Sequence, residues 1–336
     1  MATLRLLTHF LLLTATLSLL AGCSPKASPD QSGEGVRAGQ KLNIVCTVGM
    51  VADIVRQVAG EHAEVTGLLN EGTDPHVYVP TANDTALAMR ADIVFYCGLH
   101  LEGRMVADYE AAHQKGRKFF AVAEGIPHDK LRSSETVAGI HDPHVWGDIQ
   151  LWMECVREVA KQLKAHDPAH AADYTANAER YLGELTKLDD YIREVIASIP
   201  EQQRTLVTAH DAFAYFSRAY GINVRSVQGI STESQAGVND TNRLVAFLVK
   251  NKIPTVFVEA SVNPRDLEAV REGAQQQGWK VGVGGTLYSD SMGSKGTYEG
   301  TYLGMQDHNA TLIARSLGGQ APERGWQGKL QLRVVK

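Results

Sequence analysis

Four short stretches of the chain place imidazole or carboxylate side chains in turns: Thr73-Asp74-Pro75-His76, His141-Asp142-Pro143-His144-Val145-Trp146, Thr208-Ala209-His210-Asp211 and Tyr288-Ser289-Asp290-Ser291. Neutral imidazole nitrogen and carboxylate oxygen are good donors to borderline divalent first-row metals, and four of them can complete a coordination sphere. His76, His144, His210 and Asp290 are therefore the candidate metal ligands. Pro75 and Pro143 each stand directly before a histidine. Proline fixes its own φ and keeps its predecessor out of the helical region, so each imidazole is presented from an extended turn of defined geometry. The doubled Asp-Pro-His carries more information than any lone histidine. His141 rivals His144 but lacks the preceding proline, so His144 is preferred. His62, His113, His128, His166, His170 and His308 stand without such partners and are expected to be solvated. His100, just after a predicted strand, is a candidate to line the cleft without ligating. Glu233 and Asp240 are candidates either to orient ligands or merely to cap and fold their own loop.

The elements that must position these residues alternate between strand and helix. Short apolar runs rich in β-branched residues predict strands at 42–47, 63–69, 92–97 and 118–121, with helices at 51–59, 81–90 and 102–114 between them. The alternation returns with strands at 205–208, 223–227, 255–259 and 280–283 and helices at 212–220, 241–251 and 264–277. Such alternation argues for an α/β fold with a small parallel sheet flanked by helices in each of two lobes. Ligands of open α/β sheets bind beyond the carboxyl ends of the strands, so two donors from each lobe would meet in one cleft. Between the lobes, Tyr174, Ala178, Tyr181, Leu185, Leu188, Ile192, Val195 and Ile199 recur at spacings of three and four. That stripe predicts one long helix from Pro168 to Pro200, a rod of roughly 45 Å at about 1.5 Å per residue. The expected organisation is an N-terminal lobe at 41–167, a linking helix at 168–200 and a C-terminal lobe at 201–336.

The N-terminus sets the compartment. Arg5 precedes an apolar run at 6–20, which leads at once into Leu20-Ala21-Gly22-Cys23. The run is too short and too lightly flanked for a membrane span and reads as a signal peptide at 1–22. Its ending resembles the lipobox of bacterial lipoproteins, which implies cleavage before Cys23 and acylation of that thiol. Residues 23–40, rich in Ser, Pro, Gly and Asp, are expected to be a flexible tether. The formal charge of −5 and the lack of a basic patch with interleaved aromatics argue against a nucleic-acid partner. Cys46, Cys97 and Cys155 show no Cys-x-x-Cys spacing, which argues against a thiolate zinc site. Cys46 and Cys97 fall near strand ends, where a disulfide and two buried thiols are the alternatives; buried thiols are expected.

The stretches TDPHVYVP, HDPHVW, TAHDAFAYF, GISTESQAGVND and YSDSMG followed by GTYEGTYLGM carry a resemblance over essentially the whole folded body. The chain resembles the zinc- and manganese-type (cluster A-I) solute-binding proteins of bacterial ABC transporters. The resemblance implies two α/β lobes joined by a long rigid helix, with His76, His144, His210 and Asp290 as the metal ligands. It also implies capture of Zn2+ or Mn2+ outside the cytoplasm, as transported ligand rather than catalytic cofactor, and delivery to an ABC membrane permease. The protein is then a lipid-anchored component of the bacterial cell envelope, expected to be a monomer and not an enzyme. One departure bears on the metal: many zinc-specific members carry a long His- and acid-rich loop before the second ligand motif, whereas residues 124–140 hold only His128. Metal identity stays open, with both ions expected to bind. The rival readings are a mononuclear zinc hydrolase and a surface adhesin. Catalytic zinc keeps an open position for water, and four protein ligands leave little room for one. The adhesin reading fits an anchored protein, but no motif specifies a partner.

Overall fold

In the computed structural model, which describes residues 41–133 and 139–331, strands form where β-branched and aromatic residues run together. The N-terminal half contributes β1 (Leu42–Cys46), α1 (Gly49–Ala59), β2 (Ala63–Gly67), α2 (Ala82–Arg90), β3 (Ile93–Tyr96), α3 (Val106–Gln114) and β4 (Phe119–Ala121). These strands make one parallel sheet in the order β2-β1-β3-β4. All four residues of β3 are buried, as befits an inner strand covered on both faces. The signal peptide at 1–22, Cys23 and the tether that follows it to residue 40 lie outside the described residues.

Next come α4 (Ile149–His166), a single 3₁₀ turn at Pro168–His170 and α5 (Ala171–Ala197). The helix α5 begins and ends where the two prolines predict, and its stripe of Tyr174, Ala178, Tyr181, Leu185, Leu188, Ile192 and Val195 is buried. It packs on α1 and α4, and its long apolar face rather than its propensity explains its length.

The C-terminal half follows with β5 (Thr205–Thr208), α6 (Ala214–Tyr220), β6 (Asn223–Ser226), α7 (Val238–Asn251), β7 (Thr255–Glu259), α8 (Arg265–Gln276), β8 (Gly282–Leu287) and α9 (Tyr302–Ser316). Here the expectation of one sheet needs refinement. The strands form two parallel pairs, β5-β6 and β7-β8, and β5 lies beside β7 without a ladder. Where a ladder would continue, the Glu259 carboxylate takes the N–H groups of Ala209 and His210.

One apolar core runs from β1 and β3 through α4 and α5 into α6 and α9, and so spans both halves. A smaller core lies between α7, α8 and the second set of strands. Buried polar groups stitch the larger core. Asp53 on α1 accepts from Tyr181 on α5 at 3.2 Å and from the N–H of Tyr302 at the start of α9 at 3.2 Å. Asp189 on α5 accepts from Gln150 on α4 at 2.9 Å and from Tyr220 on α6 at 2.9 Å. Cys46, Cys97 and Cys155 are free and buried, and burial raises the pKa of each thiol.

Because the larger core is shared, urea denaturation is expected to give one transition by fluorescence and by circular dichroism. Leu185→Ala, at a fully buried position, should lower stability by about 2–5 kcal/mol. Two well-separated transitions would contradict the shared core.

Candidate metal centre

Each of the four candidate residues is set by its own local device. In both Asp-Pro-His turns the aspartate accepts the N–H of the histidine two residues on: Asp74 Oδ1 from His76 at 2.9 Å and Asp142 Oδ1 from His144 at 3.0 Å. These are Asx-type turns, closed by a side chain in place of a backbone carbonyl. His210 leaves the end of β5, where Glu259 Oε1 accepts from the N–H of Ala209 at 2.7 Å and of His210 at 2.9 Å. Asp290 follows β8. Its neighbour Tyr288 exchanges two hydrogen bonds with Asn309 of α9, and the Ser289 carbonyl accepts from Trp146 Nε1 at 2.9 Å.

The four side chains converge. His144 Nε2 lies 3.3 Å from His76 Nε2, 3.3 Å from His210 Nε2 and 3.3 Å from Asp290 Oδ1, and His210 Nε2 lies 3.1 Å from Asp290 Oδ2. One donor atom from each of the four falls within 4.8 Å of all the others. A tetrahedron with metal–donor bonds of about 2.0–2.1 Å has edges of about 3.3–3.4 Å; His144 Nε2 stands at that spacing from each of the other three residues, while His76 makes no close pair with Asp290, so the donors converge on one point without closing a regular tetrahedron. All four residues are buried, His76 at 3% exposure and His144 and His210 at 0%. Both oxygens of Asp290 are turned inward, and no donor gives either of them a well-formed hydrogen bond.

Carboxylates stand behind two of the imidazoles. Asp142 Oδ1 is 2.7 Å from His144 Nδ1, and Glu259 Oε2 is 2.6 Å from His210 Nδ1 in a close contact lying off the ideal hydrogen-bond line. A carboxylate on the far nitrogen fixes the tautomer, aims Nε2 at the centre and raises its basicity. Burial opposes charge on His144, but the bond to Asp142, the close approach of Asp290 and the charge of these two carboxylates prevail, and its pKa is raised to about 9. His210 is likewise raised well above its ordinary value, the charges of Glu259 and Asp290 overcoming burial. For Asp290, burial is outweighed by the charge on His210 and the closeness of both imidazoles, which hold its carboxyl far below the usual range. His76 behaves differently: burial dominates, and its pKa falls to about 3.

The remaining sequence candidates lie elsewhere. His141 turns its Nδ1 to the Arg132 carbonyl at 3.3 Å and, with His100 and His128, lines a separate cavity. His100 is exposed, with φ at 65°. Glu233 is exposed, and Asp240 caps α7 by accepting the Gly237 N–H at 2.9 Å, so of its two expected roles it takes the structural one. Three of the histidines expected to be merely solvated have partners: His62 stacks on His170 at 3.9 Å, each bound to its own aspartate, Asp173 and Asp167, and His308 Nε2 meets the Thr286 carbonyl at 2.9 Å. The orienting role belongs to Asp142 and Glu259, which the sequence reading left unassigned. The signal for Asp142 lay inside the Asp-Pro-His motif itself; that for Glu259 was a lone acid closing a predicted apolar strand.

The profile of the family described as zinc-uptake complex component A, periplasmic, matches residues 44–316. Over 298 residues the chain is 43% identical to the manganese-binding lipoprotein MntA of Bacillus subtilis (strain 168), covering 89% of this chain and 95% of that protein. It is 42% identical over 290 residues to the zinc-binding protein TroA of Treponema pallidum (strain Nichols), covering 86% of this chain and 92% of that one. The solved structure of the periplasmic zinc binding protein TroA from Treponema pallidum matches the fold with a TM-score of 0.80, at 42% identity, over 82% of this chain and 99% of the other.

Imidazoles that hold protons at neutral pH must release them to coordinate a cation. Affinity for Zn2+ is therefore expected to rise with pH through neutrality toward about 9, the value His144 reaches. Calorimetry at pH 7 in buffers of different ionisation enthalpy should record proton release on binding. Glu259→Gln, which loosens His210, should weaken binding by about 10–100-fold; uptake without proton release would contradict the charge arrangement described above.

Proposed function

The chain belongs to the zinc-uptake component A family of metal-binding components of ABC transporters, and on that premise we propose that it captures Zn2+ or Mn2+ outside the cytoplasm and hands it to an ABC import permease. The observation that carries the reading is the convergence of His76 and His144 from the N-terminal half with His210 and Asp290 from the C-terminal half, one donor atom of each within 4.8 Å of all the others. We assign these four residues as the ligands. Three neutral imidazoles and one carboxylate replace the water shell and leave the ion with its four ligands at a net charge of +1, which the buried carboxylates of Asp142 and Glu259 behind the imidazoles offset.

The donor set suits both ions. With one oxygen of Asp290 it is a four-coordinate N3O set of the kind zinc prefers; with both oxygens it supplies five donors, closer to what manganese takes. A relative named for manganese and another named for zinc stand at nearly equal identity to this chain, which supports the same breadth. At equal supply zinc binds such sites more tightly.

The remaining parts of the reading concern the whole molecule. The lobes are 41–167 and 201–336, with 168–200 as the strut between them, and the shared core favours small tilts over wide closure. Residues 1–22 direct export, Cys23 carries the lipid, and the segment to residue 40 tethers a monomeric body to the cell envelope. Relatives named as lipoproteins support the anchor. The protein binds and passes on its ion rather than hydrolysing a substrate: three imidazoles and a carboxylate supply four protein donors, the number a closed zinc site takes, where a catalytic site keeps a position for water.

Titration calorimetry of the metal-free protein should give one-to-one binding of Zn2+ and of Mn2+, with Zn2+ the tighter. His210→Ala should weaken binding by more than about a hundredfold, beyond what loss of an orienting carboxylate costs. Binding of neither ion, or His210→Ala binding like the parent, would refute the assignment.

A further inference from the structure

The four ligands are not held alike. His144 and His210 each have a carboxylate behind Nδ1, and the turn carrying His144 is fixed to the C-terminal half through Trp146. Its indole donates to the Ser289 carbonyl, and its own carbonyl accepts from Tyr302 at 2.7 Å and from Gln306 at 2.9 Å. Among the described residues His76 has no carboxylate ion-pair partner, and it is the most exposed of the four at 3%. What holds it is Asp74. One oxygen of Asp74 accepts the His76 N–H at 2.9 Å, while the other accepts from Thr232 Oγ1 at 2.5 Å. That second bond is, among the described residues, the one hydrogen bond joining the segment 68–80 to the C-terminal half. On the N-terminal side the segment is already at close approach, since a Cβ at Gly103 would come within 2.6 Å of the His76 carbonyl oxygen.

Thr232 sits on a loop with room to move. Residues 226–229 are anchored: the Gln228 N–H donates to the Ala209 carbonyl at 2.9 Å, the Gly229 carbonyl accepts from the Asp211 N–H at 3.2 Å, and Val227 is buried. Beyond them the chain, with Ile230, Ser231, Ser234 and Gln235, lines a cavity of about 720 Å³ together with Leu244 and Phe247 of α7. Residues 233–235 are exposed. Among the described residues the bond from Thr232 to Asp74 is the one hydrogen bond from 230–235 to another segment, so lifting this tip costs that bond and little apolar burial. Withdrawing His144, His210 or Asp290 instead means breaking buried contacts on both sides of the molecule.

We propose that Thr232 is a positioning residue for metal retention: through Asp74 its hydroxyl latches His76 onto the ion, and the ion leaves when the 230–235 tip of the loop lifts and that hydrogen bond breaks. The inference rests on the capture reading above. Release then begins on the His76 side, from a four-donor set reduced to three, and anything that displaces the loop accelerates it.

The test is stopped-flow release of Zn2+ from the loaded protein into excess chelator, for the parent, Thr232→Val and Thr232→Ser. Valine keeps the shape and removes the hydroxyl; serine keeps the hydroxyl. Loss of a hydrogen bond to a carboxylate should speed release by about tenfold in Thr232→Val, with Thr232→Ser close to the parent and the metal-free melting temperature little changed in either. Release from Thr232→Val at the parent rate overturns the latch, as does release from Thr232→Ser as fast as from Thr232→Val. A parent chain that takes up no Zn2+ overturns the capture reading itself, and the latch with it.

Discussion

The arrangement depends on three imidazoles aiming Nε2 at one point. An imidazole has two nitrogens, and which of them faces the centre is decided by what the other one bonds. Asp142 and Glu259 settle that for His144 and His210. The same carboxylates make these rings basic, so protons and metal ions compete for one set of lone pairs. Asp290, facing two of the rings, is kept ionised by them. Position and charge are thus two results of one set of contacts.

The scaffold delivers these groups by ending strands where it needs them, and in both halves a buried glutamate secures the ends. Glu102 accepts from the Thr47 hydroxyl at 2.7 Å and from the N–H groups of Cys97 at 2.6 Å and Gly98 at 3.2 Å, and so joins the end of β1 to that of β3. Glu259 does the same between β7 and β5, with the added contact to an imidazole. A carboxylate that accepts several backbone donors satisfies groups which would otherwise be buried without partners at the ragged edge of a sheet.

Much of this was legible in the sequence, for a definable reason. The four proposed ligands stand in turns, two of them marked by Asp-Pro, and α5 carries a single stripe over its whole length. Two helices left weaker marks. In α9, Gln306, Asp307, Asn309 and Thr311 are buried among apolar neighbours, so the helix is hidden nearly all round and shows no apolar–polar alternation. In α4 the apolar face is clear, but it starts directly after the second ligand motif, whose turn residues dominate the local reading. The division of the second sheet into two pairs could not be read at all, because a strand pattern marks the strands and not which of them share a ladder. The roles of Asp142, Glu259 and Asp74 depend on contacts across a turn or between distant segments, which spacing alone does not encode.

The helix α9 has a wider consequence. From the C-terminal half it sends Tyr302 and Gln306 to one carbonyl, that of Trp146, and it lays Tyr302 against Trp152 with ring centroids 5.5 Å apart. Swinging the halves apart would strip that carbonyl of both donors and wet a continuous core. A change of outline between full and empty molecules would have to leave that core dry. A membrane partner sorting one from the other would then have little silhouette to read and would have to feel the texture of a few surface loops.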